Sequence, residues 1–415
     1  MAQLPALPED IAQSKVLLLE GISERAANHF HDMGFETVER LTHALSGADL
    51  IEAARDVRIL GIRSRSQVDE AVLAEVAKSV RVVGCFSVGT NQIDLDAAQA
   101  RGIPVFNAPF SNTRSVAELT IAEAVMLLRR TFQRSTAAHA GRWEKSAAGS
   151  HELRGKTLGI VGYGNIGTQL AILAEAMGMR VVYYDHTDKL THGNAEPMGS
   201  LIELLHEADI VSLHVPDTIM TQGMIGLNEI AAMKQGAILI NNARGTVVDL
   251  DALAMALKSG HLGGAAIDVF PVEPKSNNDP FESPLRGLEN VILTPHVGGS
   301  TEEAQERIGE EVARKLSEYA NNGSTVGAVN FPQVQLPPRH DVTRFIQVQK
   351  NIPGELRRLN DIFADRAVNI AAQHYQTQGE IGYVVLDAEG EVADADDIVA
   401  EIRALPGTLR GRVLR

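Results

Sequence analysis

Two doubly wound, Rossmann-like parallel sheets followed by a small ferredoxin-like domain form the α/β architecture that this 415-residue sequence predicts. Three observations carry it. Short apolar runs alternate twice over with amphipathic stretches, the strand and helix rhythm of parallel α/β layers. A glycine-rich turn opens the second series at the place where such folds bind dinucleotides. The rhythm then changes after a proline-bearing segment, and at about 150 residues per domain the length allows two or three domains.

In the first series, residues 15–19 and 57–62 read as buried strands, while residues 51–55 and 68–80 are amphipathic. Residues 80–86 form the next strand candidate, with the loop 87–91 after it, and residues 104–106 lead into Asn107-Ala108-Pro109-Phe110. Ser115-Val116-Ala117-Glu118 has the form of a capping box, so residues 116–130 are expected as one long helix bridging two domains. In the second series strands recur at 157–161, 180–184, 210–214, 237–240 and 264–267, continuing to about residue 294. An acidic amphipathic helix over 301–319 follows, and Asn321-Asn322-Gly323-Ser324 with Phe331-Pro332 to Pro337-Pro338 reads as a linker. Beyond it come a strand at 344–348, a helix at 354–366, a strand at 381–386, a helix at 395–404 and a strand at 408–413. That is a β-α-β-β-α-β pattern without a clear second strand around 370–376.

Lys plus Arg number 38 against 53 Asp plus Glu, a net charge of −15 that repels nucleic acid and anionic membranes. A small-molecule site is favoured, with any anionic ligand held by a local cluster of cations. The single cysteine, Cys85, excludes an intrachain disulfide, and no Cys/His spacing matches a metal site, so none is expected. Residues 1–10 lack the basic and apolar regions of a secretory signal, and no later run approaches about 18 apolar residues. A soluble, cytoplasmic protein is expected.

Gly162-Tyr163-Gly164-Asn165-Ile166-Gly167 fits G-x-G-x-x-G after a strand and before a helix over 168–177, and Asp185 ends the next strand about 20 residues on. The glycines permit a tight turn and let a pyrophosphate reach N–H groups at a helix N-terminus. Asp185 can accept both ribose hydroxyls and would repel a 2′-phosphate, so NAD is expected rather than NADP. Arg63-Ser64-Arg65 follows a strand, and residues two apart point the same way, so both guanidinium groups could address one anion; alone, the pair reads more readily as solvated surface. Arg244, Glu273 and His296 fall at strand ends in the second series, where α/β sheets bind ligands. A histidine beside a carboxylate moves a proton near neutral pH, and an arginine holds a substrate carboxylate in a planar fork.

These residues resemble the D-2-hydroxyacid dehydrogenase family, in its short bacterial form with a C-terminal ACT module. The most specific stretches are 88–94, 106–118, Ala243-Arg244-Gly245-Thr246-Val247-Val248-Asp249 and Thr294-Pro295-His296. The resemblance implies that His296 is the acid/base, Glu273 its partner and Arg244 the carboxylate anchor. It places Gly162, Gly164, Asn165, Ile166, Gly167, Asp185, Asn242, Ala243, Arg244, Asp268, His296, Val297, Gly298 and Gly299 around NAD. Arg63, Ser64, Asn112 and, from a neighbouring subunit, Lys145 would surround the substrate phosphate, with Trp143 a subunit contact. The implied reaction oxidises 3-phosphoglycerate to 3-phosphohydroxypyruvate at the start of serine biosynthesis, with 2-oxoglutarate as a further substrate for reduction. The implied domains are 1–110 with 300–332 for substrate, 111–299 for NAD, a linker at 333–343 and the ACT module at 344–415, in a homotetramer. Serine is the implied effector, contacting Gln349, Asn351 and Asn369. Gln349 stands where the family has histidine, and Pro337-Pro338-Arg339-His340-Asp341 replaces a glycine pair, so weak or absent serine inhibition is expected. The alternatives are another D-2-hydroxyacid dehydrogenase or a non-catalytic NAD-sensing, corepressor-like protein.

Overall fold

The computed structural model describes residues 7, 9–274, 278–338 and 341–415; Arg339 and His340 of the expected linker lie outside them. The chain divides into two compact units, Met1–Ser111 with Gln305–Arg415, and Asn112–Ala304.

The first unit contains a five-stranded parallel sheet built from β1 (Lys15–Leu18), β2 (Thr37–Arg40), β3 (Val57–Ile62), β4 (Val82–Cys85) and β5 (Val105–Phe106), in the order β2-β1-β3-β4-β5. The inner strands are covered on both faces, which is why they read as unbroken apolar runs. β2 lies at the edge, and its sequence, Thr-Val-Glu-Arg, is accordingly polar and silent in the apolar pattern.

In the second unit β6 (Thr157–Val161), β7 (Arg180–Tyr184), β8 (Glu196–Pro197), β9 (Ile210–Leu213), β10 (Ile238–Asn241), β11 (Gly264–Ile267) and β12 (Val291–Leu293) form one parallel sheet. Its order is β12-β11-β10-β9-β6-β7-β8, so the chain reverses direction across the sheet between β6 and β9. Ligands of open α/β sheets bind at such a switch point, beyond the carboxyl ends of the strands. The helix Thr113–Arg129 lays Ala117, Ala124, Leu127 and Leu128 on one sheet face, against Leu158, Ile160, Ile238 and Ala266. This helix starts earlier than the capping-box reading and lies wholly within the second unit. Asn112 precedes its first turn, while Ser115 sits inside it and shares a 2.8 Å hydrogen bond with Thr301, and Glu118 pairs with Arg114. A hydroxyl that finds a tertiary partner is not needed as a cap.

The C-terminal part of the first unit is an antiparallel sheet of β13 (Val342–Lys350), β14 (Ile370–Gln378), β15 (Ile381–Glu389) and β16 (Thr408–Leu414), ordered β14-β15-β13-β16. β14 is the strand the sequence did not reveal. It is an edge strand with a largely exposed run, Ile-Ala-Ala-Gln-His-Tyr-Gln-Thr-Gln, and an edge needs few apolar residues. Helices Glu355–Asp365 and Ala395–Ala404 bury one face of this sheet through Leu359, Phe363, Ile398 and Ile402. The other face, with Ile346, Val348, Tyr383 and Val385, shares a core with Phe106, Leu316, Tyr319 and Phe331.

The segment expected as a linker is held down by tertiary contacts. Val334 and Leu336 are buried in that shared core, and Thr325 N–H donates to the Val334 carbonyl at 3.0 Å. Three arginines reinforce the junction by donating to backbone carbonyls, among them those of Arg101, Ala77, Tyr319 and Asn322 at helix C-termini, where the helix dipole favours a cation. Arg410 reaches the carbonyls of Arg101, Val80 and Ala77 at 2.6, 3.1 and 2.9 Å. Arg412 reaches Tyr319 at 2.6 Å and lies over its ring. Arg344, fully buried and paired with Asp387 at 2.6 and 2.7 Å, spends its remaining nitrogen on Asn322 and Pro337.

Candidate active site

The glycine-rich turn joins β6 to the helix Asn165–Ala176. Gly162 has φ +95°, and a Cβ there would lie 2.5 Å from the His214 carbonyl oxygen; one at Gly167 would lie 2.3 Å from the Gly162 oxygen. Neither position tolerates a side chain, because loop, strand and helix meet there backbone to backbone. A Cβ at Gly164 would meet nothing within 4 Å, and Gly164 and Asn165 are exposed. The turn is thus closed on its protein side and open on the other, and no side chain caps the helix. That geometry fits a pyrophosphate over the helix N-terminus.

Asp185 follows β7 and turns back onto the turn. Its Oδ2 accepts the Tyr163 N–H at 2.9 Å, and its Oδ1 accepts the Thr187 N–H and hydroxyl at 3.1 Å each. Burial works to raise this carboxyl, but those N–H donors and Lys189 prevail and hold it below its ordinary value. Asp185 therefore remains an anion beside the turn, with Oδ2 meeting a single donor. His214, after β9, is set against the same turn, and burial pushes its imidazole down to about 4. It is neutral and hydrogen-bonded to Ser212 at 2.9 Å.

The three proposed catalytic side chains leave neighbouring strands. His296 lies in the loop after β12, in left-handed backbone (φ +55°) that non-glycine residues seldom adopt. Asp268, which follows β11 and is 1% exposed, holds the loop in that shape. Its Oδ1 accepts the Thr294 hydroxyl at 2.6 Å and the Val297 N–H at 2.8 Å, its Oδ2 the Gly298 N–H at 2.8 Å, and its carbonyl the His296 N–H at 2.8 Å. The side chain expected at NAD is thus turned inward as the anchor of the loop.

His296 Nδ1 lies 2.9 Å from Glu273 Oε2, and Glu273 Oε1 accepts the Phe270 N–H at 3.1 Å. The Glu273 contact raises the His296 imidazole above its ordinary value, against the opposing effect of burial and of Arg244. Glu273 is lowered in turn, its burial being outweighed by His296, the Phe270 N–H and Arg244. With Nδ1 committed to Glu273, Nε2 is the nitrogen left to exchange a proton.

Arg244 follows β10, where the fully buried Asn241 shapes the turn by donating to the Arg244 carbonyl at 3.0 Å and accepting the Ala243 N–H at 3.1 Å. Asn242, expected at the cofactor, is also directed into the interior. Its amide donates to Thr120 at 3.1 Å and to Glu123 at 2.7 Å. Burial, with Asp268 adding to the rise, pushes Glu123 up to about 7 despite the Asn242 donor.

Asn112 belongs to this same edge: a Cβ on Gly299 would lie 2.4 Å from its Nδ2. Lys145 is exposed, and Trp143 is 87% exposed. Arg63 and Ser64 lie in the first unit, in the turn after β3. The three expected effector residues do not converge within one chain. Asn351 follows β13 and Asn369 precedes β14, at opposite ends of the antiparallel sheet, about 30 Å apart along the strands at ~3.3 Å per residue. Gln349 is buried within β13. Among the described residues no group of His, Cys, Asp and Glu could hold a metal ion, and no helix is long and apolar enough to cross a membrane.

Asp268, Asn241 and Glu123 form the buried support that the motif reading did not single out for its structural work. The signal was a charged or amide residue interrupting an apolar run, as in Ile238–Asn241 or the helix around Glu123.

Comparison with known proteins identifies the family. Residues 121–298 match the model of the D-isomer specific 2-hydroxyacid dehydrogenase NAD binding domain, and residues 346–410 match an AHAS small subunit-like ACT domain. The chain is 53% identical over 405 residues to a D-3-phosphoglycerate dehydrogenase of Haemophilus influenzae, covering 98% of each chain. It belongs to the D-2-hydroxyacid dehydrogenase family. A D-3-phosphoglycerate dehydrogenase of Escherichia coli is 54% identical over 400 residues, covering 96% of this chain and 97% of that one. Among solved structures of the family, D-lactate dehydrogenase from Aquifex aeolicus, complexed with NAD and lactic acid, superposes with a TM-score of 0.67 at 28% identity. It covers 77% of this chain and all of the other. As a member of this family the protein is an NAD-dependent oxidoreductase, and the open glycine turn with the ionised Asp185 fits that cofactor.

Proposed function

We propose that the enzyme interconverts 3-phosphoglycerate and 3-phosphohydroxypyruvate, the first step of serine biosynthesis, and that it also reduces 2-oxoglutarate to 2-hydroxyglutarate. The observation that carries the reading is the 2.9 Å His296–Glu273 pair, held at the carboxyl edge of an NAD-binding sheet beside Arg244. The names of the relatives above support the choice of substrate.

In the oxidation, Arg244 grips the substrate carboxylate and orients C2. Neutral His296 removes the C2 hydroxyl proton through Nε2, and Glu273 stabilises the imidazolium that results. NAD supplies the hydride acceptor. Gly162, Gly164, Asn165, Ile166, Gly167 and Asp185 would hold its diphosphate and ribose, and Ala243, Val297, Gly298 and Gly299 would close the nicotinamide end. Arg63, Ser64 and Asn112, with Lys145 of a neighbouring copy, are proposed for the phosphate on residue type and family resemblance. The exposed Trp143 beside Lys145 supports a subunit contact, and a homotetramer is proposed on family resemblance. An effector pocket using Asn351 and Asn369 needs two copies, because one chain separates them; serine is the proposed ligand, with weak coupling. A cytoplasmic setting fits the single cysteine.

The test is NADH consumption with phosphohydroxypyruvate, 2-oxoglutarate and glyoxylate in parallel. Phosphohydroxypyruvate is expected to give the highest kcat/KM, and His296→Asn to lose roughly 10²- to 10⁴-fold while still binding NADH. NADH binding without turnover of any oxo acid would replace this reading with a dinucleotide sensor.

A further inference from the structure

Glu20 ends the buried run of β1 in left-handed backbone (φ +61°), and its side chain is 1% exposed. Four successive N–H groups converge on its carboxylate. Arg63 and Ser66 donate to Oε1 at 3.0 and 2.9 Å, and Ser64 and Arg65 donate to Oε2 at 3.2 and 2.9 Å. The Glu20 carbonyl accepts Arg63 Nη1 at 3.3 Å, and the Gln92 amide donates to the Arg63 carbonyl. Burial works to raise the Glu20 carboxyl, yet the N–H donors prevail and keep it below its ordinary value.

A run of N–H groups folded around one point is an anion site. Here the chain fills it with its own carboxylate, so the turn at 63–66 is shaped before any ligand arrives. We propose that Glu20 is the positioning residue for substrate phosphate, fixing the backbone, carbonyl and guanidinium of Arg63 in the geometry that takes the anion. The inference rests on the reading of Arg63 and Ser64 as phosphate ligands. Its chemical basis is specific to a carboxylate: two oxygens accept four N–H bonds, whereas an amide offers one oxygen and turns an NH₂ group toward two of the donors. The turn must then rearrange, and Arg63 moves with it.

The experiment compares phosphohydroxypyruvate with hydroxypyruvate, the same 2-oxo acid without phosphate, in wild type, Glu20→Gln, Glu20→Asp and Arg63→Ala. Glu20→Gln is expected to raise KM for the phosphorylated substrate by about tenfold or more, with kcat and KM for hydroxypyruvate within about threefold. NADH affinity, measured by fluorescence titration, is expected to stay at the wild-type value. Glu20→Asp keeps the charge one methylene short and is expected to fall between wild type and Glu20→Gln. Should Glu20→Gln fail to fold, Glu20→Asp decides alone: a phosphate-selective rise of about threefold supports the inference, and none overturns it. Selectivity lost in Arg63→Ala but retained in both Glu20 variants overturns the inference while leaving the phosphate reading intact. Equal effects of Arg63→Ala on both substrates remove the phosphate reading, and the inference with it.

Discussion

Replacing Glu273 by Gln removes the anion 2.9 Å from His296 Nδ1 while keeping an oxygen that can accept the same hydrogen bond. Both side chains are partly exposed, 54% for His296 and 37% for Glu273, so the water limit of the dielectric is the appropriate one. At that limit two unit charges 2.9 Å apart interact by about 1.4 kcal/mol, or about one pKa unit. The imidazole is raised in the wild type, so it falls in the variant. Oxidation needs the neutral base and loses rate toward acid; reduction needs the imidazolium and loses rate toward alkali. Both limbs therefore move to lower pH by about one unit, oxidation extending further into acid and reduction failing earlier in alkali. Profiles of kcat/KM in both directions, at one ionic strength, read this directly. Limbs that stay in place, or that move in opposite senses, would refute the pairing of Glu273 with His296.

Three further expectations follow from the structure. Arg410→Ala removes three charge-assisted hydrogen bonds to the carbonyls of Arg101, Val80 and Ala77, and is expected to cost about 2–4 kcal/mol in urea unfolding; a loss below about 1 kcal/mol would mean that the arginine does not hold the ACT sheet in place. Glu123, raised to about 7 by burial, binds a proton in the folded protein that it releases near pH 4.5 when unfolded, so stability falls as pH rises between those values. Glu123→Gln should flatten that fall, worth up to about 3 kcal/mol, and an unchanged pH–stability curve would argue against the raised pKa. Asp185→Ala is expected to weaken NADH about tenfold and to narrow its advantage over NADPH, since the lost carboxylate both frees the Tyr163 N–H and ceases to repel a 2′-phosphate; a wild type that prefers NADPH would contradict the role of Asp185.

The architecture was legible because its signals are local. Buried parallel strands must be apolar on both faces, so β3, β4, β6 and β9 stand out as runs, and a turn where no Cβ fits has to be written in glycine, as at Gly162 and Gly167. The candidates at strand ends were visible for the same reason: Arg244, Glu273 and His296 are polar residues in the loops that follow apolar strands. Edge strands β2 and β14 escaped because an edge requires no such run.

What only the tertiary structure decided is where each buried polar side chain spends its hydrogen bonds. Asp268, Asn242 and Glu20 look alike in sequence, a polar residue closing a strand, yet one clamps the histidine loop, one meets a buried glutamate and one fills a ring of four N–H groups. The same holds for the proline-bearing segment, whose composition reads as a linker while Val334 and Leu336 enter a shared core and Arg344 donates to the Asn322 and Pro337 carbonyls. Composition specifies how much polar capacity a residue carries. Its partner is fixed by which backbone donors and acceptors the fold leaves without one at that place, and those come from strands and helices distant in the chain.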